Sequence, residues 1–399
     1  MKVKIEKSRA EGTVAIPPSK SDAHRKLICA AMCPGETTVI HGMYPSRDIL
    51  ATVSCLEALG ARCTVSGDEC TVTGTDLRMS KGAELECGES GSTLRFMIPL
   101  CMLSGDPFRL HGTKKLISRP LSVYSSLAKE NGIRFETEEE YALVSGKLTE
   151  SSFTVPGDIS SQFITGLMLW AAASGKTARI TVTPPFESRS YALMTADVLR
   201  RFGVSVNTDE NIITVSGTPS SPGEIYVEGD WSSAAFFEAF NFMGGKVQTA
   251  GLSDDSFQPD RRFREIAEGR ELCADLSDCP DLAPMLFALA AYRGYGKFCG
   301  TARLRYKESD RAEAMKCELY KMGAETLIEE NSVTVTCPSL HAPVSPISSH
   351  NDHRIAMAMS VLCTVTGGTV DGAEAVSKSM PDFFEKLKAL GVNCSETNP

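Results

Sequence analysis

No C-x-x-C pair occurs among the fourteen cysteines of this 399-residue chain, so neither a zinc ribbon nor a thioredoxin-like motif is written in it. G-x-S-x-G and G-x-G-x-x-G are also missing, which excludes the nucleophile elbow of serine hydrolases and the Rossmann fingerprint. The stretch "AAASGKTAR" has Trp170 where a phosphate loop needs its first glycine, and its lysine follows a helical pattern instead of opening one. Long apolar runs are lacking too: "GLMLWAAA" and "APMLFALAAY" fall far short of the roughly 20 residues that cross a bilayer. The opening "MKVKIEKSRAEG" alternates charged and apolar side chains and has no secretory apolar region. Surplus positive charge is absent as well. Lys and Arg number 41 against 50 Asp and Glu, a net charge of −9, which excludes general nucleic-acid affinity but leaves room for a local basic cleft. "HNDH" sets two histidines three positions apart with no third ligand nearby, so no metal site is expected.

What is present points to a cytoplasmic, soluble, two-domain protein. Hydrophobic residues make up 42% and charged residues 23%, and the length suffices for two cores. Most cysteines sit in apolar runs such as "LICAAMC" and "IPLCML", as expected of buried, reduced thiols.

One phrase recurs along the chain: an amphipathic helix, a glycine, then a short alternating strand, often with a turn and a second strand. It is clearest at 56–74, 127–146 and 199–217, and looser at 240–251, 319–336 and 387–397. The punctuating glycines Gly60, Gly132, Gly203, Gly244, Gly323 and Gly391 stand mostly about seventy residues apart. Glycine suits the left-handed position that closes a helix, and the spacing fits six small α/β modules. The connector "GTPSSPGE" (217–224) divides the copies into two groups of three. The first strand, about residues 2 to 8, is free to pair with either group. A cleft between two such domains is the expected site.

Polar clusters mark many of the helix starts. Lys20, Ser21 and Arg25 follow "IPPS"; Ser90, Ser92, Thr93 and Arg95 follow a glycine turn. Arg119 precedes Pro120 in what reads as the first position of a helix. Ser160, Ser161 and Gln162 precede an apolar helix, and Asp281 another. Lys307, Glu308 and Arg311 surround a Ser309 cap; His353 and Arg354 head a helix, and Lys378 stands before one. Ordinary capping accounts for any one of these, with Ser21 or Asp22 as the cap of the first. Together they suggest helix N-termini and cations gathered around several phosphates or carboxylates. Asp281 and Glu308 read singly as a helix cap and an ion-pair partner. A site built only to hold anions has no use for them, so they suggest acid–base work.

In order, "SKSDAHR", "GESGSTLR", "SRP", "DISSQF", "ESRSY", "DCPDLAP", "YKESDR", "NDHRIAMA" and "KSMPDFF" resemble the 5-enolpyruvylshikimate-3-phosphate synthase family from residue 15 to 384. The resemblance implies an α/β (α+β) fold of two similar domains, each of three βαβαββ-type modules, hinged around an interdomain cleft. The implied division is a discontinuous domain, 1–18 with 229–399, carrying the phosphoenolpyruvate side and the catalytic carboxylates. Residues 19–228 form the inserted, shikimate 3-phosphate side. The implied reaction moves the enolpyruvyl group of phosphoenolpyruvate to the 5-hydroxyl of shikimate 3-phosphate and releases phosphate, a step towards chorismate and the aromatic amino acids. No metal or organic cofactor is implied, and a monomer with no nucleic-acid or membrane partner is expected.

Carried over residue by residue, the resemblance makes Lys20, Gly91, Arg119, Gln162, Arg311, Arg354 and Lys378 the phosphoenolpyruvate ligands. Shikimate 3-phosphate falls to Lys20, Ser21, Arg25, Ser160, Ser161, Gln162, Ser188, Tyr191, Asp281 and Lys307. Asp281 and Glu308 are the expected proton carriers, with Lys20 a rival for either role. Domain closure would exclude water. Four positions depart from the family's pattern: Glu89, Phe96, Ser190 and Arg303, which leave the response to the inhibitor glyphosate open. Two rivals remain. The sister transferase acting on UDP-N-acetylglucosamine carries a cysteine before its Arg-Pro pair, where this chain reads "HGTKKLISRP". A non-catalytic anion-binding repeat protein would not need the two carboxylates.

Overall fold

The computed structural model describes residues 1–397. The chain forms two compact units, one of Met1–Pro17 with everything from Gly229 onward, the other of Pro18–Glu228. The strand Glu224–Tyr226, past the Pro/Ser/Gly connector, still pairs with Thr37–His41 of the inserted unit. The repeat boundary and the unit boundary are therefore different places.

The inserted unit contains three four-stranded sheets of one design. In the second, Glu84–Glu86 runs parallel to Phe108–His111, which pairs antiparallel with Tyr141–Ser145, itself antiparallel to Arg134–Thr137. Parallel neighbours cannot be joined by a tight turn, so a helix must cross between them. Here that helix is Gly91–Cys101, and in the third sheet Ser161–Ser174 links Ser152–Pro156 to Ala178–Thr183. The other unit repeats the design in two four-stranded sheets and a two-stranded remnant, Glu11–Ala15 beside Lys246–Ala250. All six punctuating glycines have positive φ, between 66° and 104°, the left-handed conformation that closes a helix. The first strand is shorter than expected, Lys2–Ile5, and lies between Gly368–Asp371 and Cys394–Thr397. Val3 and Ile5 are each 1% exposed there, which fixes the chain start in the later unit.

In the later unit the core is built on three mutually packed helices, Trp231–Phe242, Ala283–Arg293 and His353–Thr366; in the inserted unit Gly91–Cys101 packs against Ser161–Ser174, and Lys20–Ala31 lies against Arg47–Ala58 and Arg189–Arg201. A helix apolar on every side belongs in an interior, and Val365 alone of His353–Thr366 escapes full burial. Pro99 inside Gly91–Cys101 has no N–H, so the Arg95 carbonyl one turn back loses its helical partner. The Tyr124 hydroxyl donates to that carbonyl at 2.6 Å. Gly166 on the neighbouring helix makes room, since a Cβ there would stand 2.2 Å from the same hydroxyl.

Several helix starts differ from the sequence expectation. Ser19, not Ser21 or Asp22, caps Lys20–Ala31 by accepting from the Asp22 N–H. Pro120 lies outside its helix, which begins at Ser122, because the Pro120 carbonyl is turned towards Arg95 and accepts from its Nη2. Asp310 caps Arg311–Tyr320, leaving Ser309 to bond elsewhere.

Candidate functional site

In the inserted unit the polar starts of the three core helices are tied together by side chains. His24 Nδ1 meets Thr52 Oγ1 at 2.7 Å, Thr52 meets Thr93 Oγ1 at 2.7 Å, and Thr93 donates to Ser90 Oγ at 2.7 Å. Lys20 Nζ lies 2.6 Å from Asp48 Oδ2 in the same region. Arg25, 3% exposed, spends its guanidinium on the Ser21 and Tyr191 carbonyls and the Thr195 and Thr165 hydroxyls, with its carbon 5.4 Å from the Phe96 ring centre. Burial pushes its pKa down to about 10. The structure thus brings Arg25, Ser21 and Tyr191 together through protein–protein bonds. Ser188, 3% exposed, heads the Arg189–Arg201 helix in the left-handed conformation, φ 53°.

Beside the Gly91 helix start, Gln162 accepts from Arg95 Nη1 at 2.6 Å and donates to Ser92 Oγ at 3.0 Å. Ser160 caps the Gln162 helix by accepting from the Gln162 N–H, and Ser161 is buried. Arg119 lies so close that a Cβ on Gly91 would stand 2.9 Å from its Nη1. Its Nε–H is buried without an acceptor among the described residues. Leaving a buried charged donor unmet is costly, so this corner is suited to an incoming anion.

The other unit holds a denser cluster. Asp281 Oδ1 accepts from Arg311 Nη1 at 2.7 Å and faces Lys307 Nζ at 3.3 Å; its Oδ2 accepts from Arg354 Nη2 at 3.0 Å. Arg311 also donates to Glu308 at 2.6 Å and, through Nε, to Asp352 at 2.9 Å. Burial pushes the Asp281 carboxyl up, but Arg354, Lys307 and Arg311 outweigh it and hold its pKa well below the ordinary value. Burial opposes the charge on Arg311, yet Asp352, Glu308 and Asp281 raise its pKa above normal. Lys307 goes the other way: burial lowers its pKa, against the pull of Asp281. Three cations therefore face three carboxylates in one charge-balanced cluster. Lys378 donates to the Asn351 carbonyl at 2.8 Å, just before Asp352.

The residues that sequence reasoning missed act through distant partners. Asp352, fully buried, caps His353–Thr366 through the Arg354 N–H and grips Arg311 and Ser309 with its other oxygen. Its cap position was readable from "ND"; its second role was not. Asp48 and Thr52 carried no motif signal, and His24, though inside "SKSDAHR", was given no role there. Among the described residues no group of three or more His, Cys, Asp or Glu is arranged to hold a metal.

His24 gives this region a pH dependence. Burial, with Lys20 and Arg25 adding to it and Asp48 opposing, lowers its pKa from 6.5 to about 3. A proton at Nε2 would find no acceptor among the described residues. The folded protein thus keeps the ring neutral while the unfolded chain protonates it near 6.5. Its contribution to stability is full above that pH and declines on acidification by about 1.4 kcal/mol per pH unit. Denaturant unfolding between pH 6.5 and 4.5 should show this slope flattened in His24→Asn; equal slopes reject the assignment.

The family model for EPSP synthase (3-phosphoshikimate 1-carboxyvinyltransferase) matches residues 5–271 and 268–387. The 3-phosphoshikimate 1-carboxyvinyltransferase of Clostridium kluyveri is 35% identical, covering 99% of this chain and 98% of that protein. That of Methanopyrus kandleri is 36% identical, with 96% of each covered. Among solved structures, EPSP synthase from Acinetobacter baumannii shares the fold with a TM-score of 0.78 at 23% identity, over 99% of this chain and 100% of that one. With the family model spanning nearly the whole chain and relatives this similar matched end to end, the chain belongs to the EPSP synthase (3-phosphoshikimate 1-carboxyvinyltransferase) family.

Proposed function

We propose that this protein transfers the carboxyvinyl group of phosphoenolpyruvate to the 5-hydroxyl of shikimate 3-phosphate and releases phosphate by addition and elimination. Family membership supports the reaction. The observation that carries its chemistry is the pair of carboxylates, Asp281 and Glu308, held by one guanidinium, that of Arg311. Asp281 takes the proton of the attacking hydroxyl. Glu308 serves the methylene carbon, which gains a proton in addition and loses one in elimination, and Lys20 is the rival for either task. Arg311, Arg354 and Lys378, with Lys20, Gly91, Arg119 and Gln162, receive phosphoenolpyruvate and stabilise the departing phosphate. Ser21, Arg25, Ser160, Ser161, Gln162, Ser188, Tyr191 and Lys307, with Lys20 and Asp281, serve shikimate 3-phosphate. In the resting protein Arg25 also donates to the Ser21 and Tyr191 carbonyls, which orders the backbone of two further members of that set.

The protein works as a cytoplasmic monomer without nucleic-acid or membrane partners. Support comes from the net charge of −9 and from the fourteen free cysteines. Among the described residues no helix is long and apolar enough to cross a membrane.

The test is phosphate release from phosphoenolpyruvate. Release is expected only when shikimate 3-phosphate is also present. Release that answers to UDP-N-acetylglucosamine instead, or to neither acceptor, overturns the reading.

A further inference from the structure

Glu318 is a buried carboxylate with no part in the chemistry above. It lies seven residues beyond Arg311 on the helix Arg311–Tyr320, hence on the same face, and is 2% exposed. Its Oε2 accepts from the Ser348 N–H at 2.9 Å and from Lys321 Nζ at 2.6 Å, while Oε1 meets His350 Nε2 at 2.8 Å. The loop it grips is unusual. His350 and Asn351 are consecutive non-glycine residues in the left-handed region, with φ of 51° and 55°. Such a pair persists only where its surroundings over-determine it. Here the Ser348 and Ser349 hydroxyls accept from the His350 and Asn351 N–H groups at 3.2 Å each.

That loop sets two of the cations assigned to phosphoenolpyruvate. It delivers the chain into Asp352, whose Oδ1 accepts from the Arg354 N–H, and its Asn351 carbonyl accepts from Lys378 Nζ. The Arg311 helix thus holds one loop at two points, through Arg311 on Asp352 and through Glu318 on Ser348 and His350. We propose that Glu318 is a positioning residue, which keeps the 348–351 loop in its left-handed form so that Arg354 and Lys378 are set for phosphoenolpyruvate. The inference rests on the reading of those two cations given above.

Glu318→Ala is expected to raise KM for phosphoenolpyruvate about tenfold, the size of one lost charge-assisted contact, with the KM for shikimate 3-phosphate little changed. A role confined to stability would lower the yield of active enzyme and leave both KM values alone. Adding Asn351→Gly to that variant should recover about threefold of the loss, because glycine adopts the left-handed conformation without penalty. If Glu318→Ala fails to fold, His350→Ala, which removes a partly exposed partner, should raise the same KM about threefold. Unchanged KM for phosphoenolpyruvate in a working parent enzyme overturns the positioning role alone. Absence of shikimate 3-phosphate-dependent phosphate release in the parent rejects the functional reading, and the positioning role falls with it.

Discussion

Asp281→Asn is expected to lower kcat by about 10²- to 10⁴-fold, the range for losing a general acid or base, without raising KM for phosphoenolpyruvate. The reason lies in what surrounds the carboxylate. Arg311, Lys307 and Arg354 all point at it, within 3.3 Å, and together they hold its pKa well below normal against the opposing effect of burial. In the resting protein Asp281 is therefore a clamped anion and a weak base. An arriving phosphate or carboxylate competes for the same guanidinium groups, and as their charge is drawn off, the basicity of Asp281 rises. On the proposed role of Asp281, the base is strengthened at the moment substrate is present.

On the proposed roles, substitution removes the base and also the competitor for Arg311 and Arg354, so phosphoenolpyruvate is expected to bind as well as before or better. On the proposed assignment shikimate 3-phosphate keeps its partners in the inserted unit, so calorimetry should still detect its binding. Asn is preferable to Ala because it fills the same volume among buried cations. Turnover close to that of the parent rejects the role of Asp281 as base. A rise in KM matching the fall in kcat makes it a binding group only.

Much of this was legible in the sequence. A glycine after a helix has one strong conformational consequence, so the six punctuating glycines, with the phrase that recurs around them, marked the modules. The partner of the first strand was not legible, because Lys2 pairs with Asp371 and nothing local encodes so distant a match. Caps were misplaced by a few residues where serine and aspartate stand side by side, as at Ser19 to Asp22 and at Ser309 and Asp310, since each is an eligible acceptor. Residue types at the site were readable as chemistry; their partners were not. Asp352 reaches Arg311 across 41 positions, and Arg25 reaches the Tyr191 carbonyl across 166. Those contacts decide which donors remain for a ligand, and only tertiary structure supplies them.

Asp352→Ala is expected to be the most destabilising single change in its unit. The carboxylate is fully buried; one oxygen accepts from the Arg354 N–H at 2.9 Å, the other from Arg311 Nε at 2.9 Å and Ser309 Oγ at 3.0 Å. Alanine leaves the Arg311 guanidinium, 1% exposed, short of one of its three carboxylates, for a cost of about 3–5 kcal/mol, with about 1 kcal/mol more for the lost cap. In a unit of this size that lowers Tm by roughly 10–20 °C. Acid acts through the same groups. Asp352 and Asp281 both have pKa values below the ordinary 3.8, so their contribution is complete above that pH and is lost as pH falls through their lower folded values. The parent should lose stability in that acid range, and Asp352→Asn should show a shallower decline. Stability and catalysis can then be separated. An Arg311→Met, Asp352→Leu pair replaces both charges by apolar groups and should regain part of the lost Tm, short of the cap and of the guanidinium that Asp281 and Glu308 share. It should not regain turnover, because Arg311 also holds Asp281 and Glu308. A Tm shift of only a few degrees in Asp352→Ala would show that Arg311 is satisfied without it, and the cluster would then have to be held by Asp281 and Glu308 alone.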